Sequence, residues 1–308
     1  MNPGLRVRGL LYYISMEKKI LILLMSCNQP LYLNEEQACR DTFLKDAEGA
    51  NIPFYFYKGV SEEHPEPGFD EEAHTLYVNA PDGLGGTGRK TAAALKAALD
   101  LDFDYLIKTN VSTYLNINNI VNGMKDWPGR DDLNIYGGRY IINRTSKKVP
   151  FPRGYFTVLS KGLTEGMMGT IGKLSAIEGM PKTDDTLICL ASLYYMQKEL
   201  EESYTSHIMQ VPSVIEWTDN AYENPAFERA FAIRCKDEKH KERTPDNIRK
   251  AHRLIRGEEE IKRMNYVPAT TFETGMGLMD YPQYIMLEKA VELVKEMREK
   301  KDKTPPTP

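Results

Sequence analysis

Hydrophobic positions along the chain alternate between two periods. Residues 19–26, KILILLMS, form a continuous apolar run, the pattern of a strand buried on both faces of a parallel sheet. NEEQACRDTFLKDAEG (34–49) turns to helical spacing, with Asn34 placed to cap the helix and Gly49 to stop it. IPFYFYKG (52–59) is rich in β-formers, the acidic stretch 61–74 reads as a loop, and TLYVNA (75–80) reads as a third strand. The glycine loop GLGGTG (83–88) precedes the Ala-rich helix RKTAAALKAALD (89–100). FDYLIKTN (103–110) is a fourth strand and LNIYGGRY (133–140) a fifth. This alternation predicts an α/β fold, a Rossmann-like mixed sheet flanked by helices.

The second half is less regular. Residues 151–169 read as a strand opening a helix, and KTDDTLICLASLYYMQKEL (182–200) as a helix with an acidic start. Strands are expected at 207–217 and 227–236, and a helix at 245–264. Leu287, Val291 and Val294 fall at i, i+4, i+7, which predicts an amphipathic helix over 283–300 packing on the domain, followed by a disordered tail. The expected organisation is an extension over 1–17, one domain over 18–275, and the helix with its tail over 276–308.

Composition narrows the classes. The chain has 308 residues, a formal net charge of −4 and 27% charged residues, ordinary values for a globular protein and an argument against a general nucleic-acid binder. Cys27, Cys39, Cys189 and Cys235 are too scattered for a zinc knuckle and too few for a disulfide scaffold, so reduced thiols and a cytoplasmic setting are expected. The longest apolar run, 20–25, is far short of the ~20 residues a membrane span needs, leaving only peripheral membrane contact open. Arg6, Arg8 and GLLYYIS near the start faintly suggest a signal peptide; the short apolar part and the missing cleavage site favour a plain extension ahead of Met16.

At Lys108 the sequence runs KTNVSTYLN directly out of the strand FDYLI. EEQACRDTF (35–43), YGGRY (136–140), RGYFTVLSKGL (153–163) and TDDTLICLA (183–191) follow the same order and rough spacing as segments of a known family. Together these segments, covering about residues 18–215, resemble the β1,3-galactosyltransferase and Fringe-like glycosyltransferases of the GT-A fold. The resemblance implies an inverting transfer of a hexose or N-acetylhexosamine from a UDP-sugar to a glycan hydroxyl. It also implies a nucleotide half at about 18–115 and an acceptor half at about 116–260. The family's acidic metal motif follows Lys-Thr; here those positions read Asn110, Val111 and Ser112. A divalent cation held by carboxylates normally neutralises the departing diphosphate. Its ligands are missing, so the expectation is a metal-independent enzyme with no cofactor. Weak Mn²⁺ or Mg²⁺ binding through other ligands, or a catalytically silent glycan- or nucleotide-binding protein, are the alternatives.

A metal-independent transfer needs fixed cations. Lys90 opens the helix after the glycine loop, and Arg234 and Lys236 lie two apart, on one face of a strand. Ser26, Cys27, Asn110 and Ser112 end their strands, where open α/β sheets bind ligands. The family likeness places the acceptor near Arg153, Gly154 and Tyr155. Asp184 and Asp185 begin a helix, where capping alone accounts for aspartate. The resemblance adds chemistry: Asp185 as the base that deprotonates the acceptor, with Asp184 orienting the acceptor or capping the helix.

GLGGTG also matches the dinucleotide fingerprint through Gly83, Gly85 and Gly88, the basis of a rival NAD(P)-enzyme reading. It follows the third strand rather than the first, and no acidic residue ends the next strand. His207, His240 and His252 lack metal-ligand spacing, and Trp127 and Trp217 are expected in the core.

Overall fold

A computed structural model describes residues 18–125, 127, 135–142, 150–176, 183–196, 208–210, 214–216 and 227–259. The extension 1–17, the helix expected at 283–300, the tail, His207 and Trp217 lie outside the described residues.

In chain order the elements are β1 (Ile20–Met25), α1 (Pro30–Asp41), α2 (Phe43–Gly49), β2 (Phe54–Gly59), β3 (Gly68–Asp70), β4 (Thr75–Val78), α3 (Thr87–Ala98), β5 (Tyr105–Asn110), β6 (Thr113–Leu115), α4 (Ile117–Met124), β7 (Tyr136–Ile142), β8 (Pro150–Ser160), α5 (Lys161–Ala176), α6 (Asp184–Tyr194), β9 (Ile208–Gln210), β10 (Val214–Glu216), β11 (Ala232–Arg234) and α7 (Thr244–Ile255). Among the described residues, an eight-stranded mixed sheet has the order β3-β4-β2-β1-β5-β8-β7-β9, and a three-stranded sheet the order β10-β11-β6. The fold is mixed α/β, as the sequence pattern predicts.

β4, β2, β1 and β5 run parallel, with Leu23 opposite Tyr55 and Met25 opposite Asn110. The chain winds outward from β1 through β2 to β4, then returns to place β5 on the other side of β1. That reversal makes the carboxyl ends of β1 and β5 the switch point, where such sheets open a crevice. β8 is antiparallel to β5, so its early residues lie at the same edge, Phe156 opposite Thr109.

The continuous apolar run of β1 is explained by its two covered faces. Ile22 and Leu24 enter one core layer with Phe54, Phe56 and Ile107; Leu21 and Leu23 enter the other with Tyr55, Tyr57 and Leu106. Burial of this kind contributes roughly 1.5–3 kcal/mol per large side chain.

Several boundaries differ from the sequence pattern, each for a local reason. The helix expected over 34–49 begins earlier, at Pro30, whose fixed φ suits the first turn; Asn34 is interior and Gln29 is the cap. It breaks at Thr42, where the backbone leaves helical geometry and the hydroxyl bonds back to the Ala38 carbonyl at 2.6 Å. The acidic loop 61–74 contains β3. The segment 207–217 divides into β9 and β10, which join different sheets, and the strand expected over 227–236 contracts to β11. β6 and α4 have no counterpart in the sequence reading. α4 is capped by Asn116, whose side chain accepts from the Asn119 amide at 3.2 Å.

Candidate functional site

β5 delivers the KTN segment to the switch point, and each residue goes a different way. The Lys108 side chain is fully buried; its ammonium donates to the Gly154 carbonyl and to Asp184 Oδ2. Burial pushes the ammonium down to about 7, opposed by Asp185 and reinforced by Lys90. The direct Asp184 contact also favours the charged form, and we read the pair as ionic. The Thr109 hydroxyl donates to the Tyr155 carbonyl at 2.7 Å. Asn110 Oδ1 accepts from the hydroxyls of Ser112 and Thr113, both at 2.9 Å.

That arrangement tests the site for a divalent ion. The side chain of Val111 is in the core, the Asn110 oxygen already accepts two hydroxyls, and no carboxylate stands at these three positions. Among the described residues no group of three or more His, Cys, Asp or Glu side chains could hold a metal. The donor set does not fit a hard cation, which wants several oxygen ligands including carboxylates.

β6 turns back to pair with β11, setting Arg234 opposite Thr113, and the Cys235 amide donates to the Ser112 carbonyl at 2.9 Å. Arg234 and Lys236 therefore stand beside the end of β5, although they lie more than 120 residues along the chain. The Arg234 guanidinium lies over the Tyr155 ring, 5.0 Å from its centroid. One residue before Tyr155, Gly154 packs against the first turn of α6. A Cβ at Gly154 would come within 2.9 Å of Asp184 Oδ2 and 3.3 Å of Asp185 Cβ. Asp185 is half-buried and accepts from the Thr186 amide at 2.8 Å; among the described residues no ion pair takes it. Gly154, Tyr155, Asp184, Asp185, Arg234, Asn110 and Ser112 thus form one contiguous group. Arg153 precedes them on β8, half-buried.

The β1 side is more enclosed. The Ser26 hydroxyl donates to Glu36, which is also paired with Lys58 at 2.8 Å, all three buried. Cys27 is buried, and that burial raises its thiol pKa. Lys90 is 2% exposed; its ammonium bonds the Ser26 carbonyl and Asp82 Oδ1, the latter at 3.0 Å. The Asp82 carboxylate also accepts from the amides of Asn28 and Gly59, both at 2.8 Å. Lys90 is therefore matched internally and braces the loop ends of β1, β2 and β4. Of the glycines of 83–88, Gly83 precedes a short 3-10 turn, Gly85 and Gly86 lie in it and Gly88 lies in the first turn of α3, all after β4 and two strands from the switch point. The turn that follows β1, which holds dinucleotide phosphates in Rossmann folds, contains no glycine.

Glu35, Glu36, Lys58, Asp82 and Glu238 stand out in no motif of the sequence. Nothing local in the sequence marks the first two: α1 buries Glu35 and Glu36 while Leu33 is 41% exposed, the reverse of an ordinary amphipathic helix. Glu35 is 3% exposed, its Oε2 has no hydrogen-bond partner, and burial pushes its carboxyl up to about 7 against the pull of Lys236. All four cysteines are buried free thiols. Among the described residues, no helix is long and apolar enough to cross a membrane.

No protein-family model and no curated protein matches the chain. Among solved structures, the chain is similar to the crystal structure of a glycosyltransferase involved in the glycosylation of the major capsid of PBCV-1. The identity is 14% and the TM-score 0.43, over 74% of this chain and 98% of that one.

Proposed function

We propose that the protein is an inverting glycosyltransferase that takes a sugar from a nucleotide diphosphate donor, UDP-linked by the family resemblance, and passes it to a glycan hydroxyl. The observation that carries the reading is the meeting of three groups at the β1/β5 switch point. These are the ends of the KTNVS segment, the Arg234–Lys236 cations and the half-buried Asp185 carboxylate.

The chemistry follows from that placement. The acceptor hydroxyl lies near Gly154 and Tyr155 and loses its proton to Asp185 as its oxygen attacks the anomeric carbon. The bond from that carbon to the diphosphate breaks on the opposite face, which inverts the configuration. The diphosphate leaves with the bonding pair, and Arg234 and Lys236 offset its charge. Guanidinium suits this task because its planar fork matches phosphate oxygens, and stacking on Tyr155 fixes its orientation. Asp184 holds Lys108 and acts by positioning its neighbour. Residues 18–115 would then serve mainly the nucleotide and 116–260 mainly the acceptor. No step passes through a metal ion, because the donor set at residues 110–112 does not fit one.

Two measurements test the reading. Asp185→Asn keeps the shape and removes the base, so transfer should fall by about 10²–10⁴ with UDP binding retained. Wild-type transfer should persist in EDTA. Near-normal turnover of the variant would return Asp185 to helix capping, and strict Mn²⁺ dependence would overturn the metal-free mechanism.

A further inference from the structure

Arg234 and Lys236 are not idle. Arg234 Nη2 bonds Glu238 Oε1 at 3.0 Å, and Lys236 Nζ bonds Glu238 Oε2 at 3.0 Å. One carboxylate spans both cations, each of its oxygens on a different one. We propose that Glu238 is an internal stand-in for the donor's diphosphate, occupying the anion seat of the empty enzyme and swinging out when the nucleotide arrives. The proposal rests on the reading of Arg234 and Lys236 as that seat.

Three features make Glu238 a displaceable occupant. Its side chain is 63% exposed, whereas those of Arg234 and Lys236 are 24% and 33% exposed, so the carboxylate can rotate into water without disturbing what lies beneath. The backbone around it is held independently: Asp237 Oδ1 accepts from the amides of Lys239 and His240, both at 2.9 Å, and the Cys235 carbonyl accepts from Asn247 Nδ2 at 3.1 Å. Arg234 is held in place without it, by the Tyr155 ring. Hydrogen bonding from Lys236 holds the Glu238 carboxyl below its ordinary range, so it is ionised at neutral pH and competes with other anions.

Such a carboxylate would keep two converging cations from capturing stray anions and would set a threshold for the ligand. A diphosphate presents more charge and more acceptor oxygens than a carboxylate, so it displaces Glu238, whereas a monoanion competes on nearly equal terms.

The test compares wild type, Glu238→Gln and Glu242→Gln by calorimetry with inorganic pyrophosphate and with UDP. Glu242 is exposed on the same segment and pairs with His240, so its variant makes the same change in net charge away from the seat. Exposed ion pairs are weak, so Glu238→Gln should bind pyrophosphate about fivefold more tightly than wild type. Glu242→Gln should stay within about twofold of wild type. Equal affinity in Glu238→Gln and wild type, an equal gain in Glu242→Gln, or no pyrophosphate binding in any of the three would overturn the proposal. If UDP binds but Glu238→Gln brings no gain, the stand-in is wrong and the donor reading survives. A pyrophosphate gain in Glu238→Gln without UDP binding or sugar transfer keeps Glu238 on an anion seat and removes the donor reading.

Discussion

The Lys108 ammonium lies against the Asp184 carboxylate, joining the end of β5 to the first turn of α6 in the protein interior. The same ammonium holds the Gly154 carbonyl, so one cation fixes three elements around the candidate site. A buried pair of this kind adds little over a well-packed apolar pair, but losing one member strands the other. Lys108→Met and Asp184→Asn should each destabilise the fold by about 3–5 kcal/mol. The double variant Lys108→Met/Asp184→Asn should cost less than the sum of the two single changes. Chemical denaturation of the set measures the coupling, and strict additivity would show that the two side chains do not depend on each other.

Gly154 is the point where β8 touches both aspartates. Gly154→Ala puts a methyl group 2.9 Å from Asp184 Oδ2, which must move, and overpacking of this kind costs about 1–3 kcal/mol. Because Asp185 moves with its neighbour, transfer should fall further than stability does, by about 10² for a displacement on the order of 1 Å. Gly169→Ala in α5, with nothing within 4 Å of the added carbon, is the control and should hold or raise the melting temperature. Equal behaviour of the two variants would remove Gly154 from the site.

Arg234 is oriented by stacking as well as by charge. Arg234→Ala should weaken UDP binding about tenfold to 150-fold, the worth of about 1.5–3 kcal/mol for a charge-assisted contact. Arg234→Lys should recover only part of it, because lysine lacks the planar group that lies over Tyr155. Titration calorimetry with UDP separates the outcomes, and unchanged affinity in the alanine variant would leave the diphosphate without its proposed clamp.

Glu35 gives the fold a pH dependence. Its carboxyl rises from 4.5 to about 7 on folding, so between those values the native chain holds a proton that the unfolded chain has released. Its contribution favours the fold below about pH 4.5, declines as pH rises to about 7, and is level above that. The full span is at most about 3 kcal/mol. Glu35→Gln should remove that slope and be relatively more stable than wild type at pH 8 than at pH 5. Parallel stability curves for the two proteins across this range would show that Glu35 ionises normally.

Periodicity along the chain points to the strands of the sheet's parallel half, while their order and pairing belong to the tertiary structure. The unbroken apolar run of β1 is the pattern of a strand covered on both faces, and Ile22 and Leu23 enter opposite core layers. The strand end at Asn110 and the acidic start of α6 were legible too, because periodicity and cap chemistry are local. Which charges are already matched became visible only in the folded chain. Lys90 looks like a ligand cation in the sequence and is taken by Asp82, while Lys108 looks like a strand residue and is taken by Asp184. Nor could α1 be oriented from its composition, since it buries Glu35 and Glu36 and exposes Leu33. Local patterns record how far apart residues are along the chain. The state of a buried charge is set by what lies within a few ångströms, and here those partners come from strands and helices up to 76 residues away.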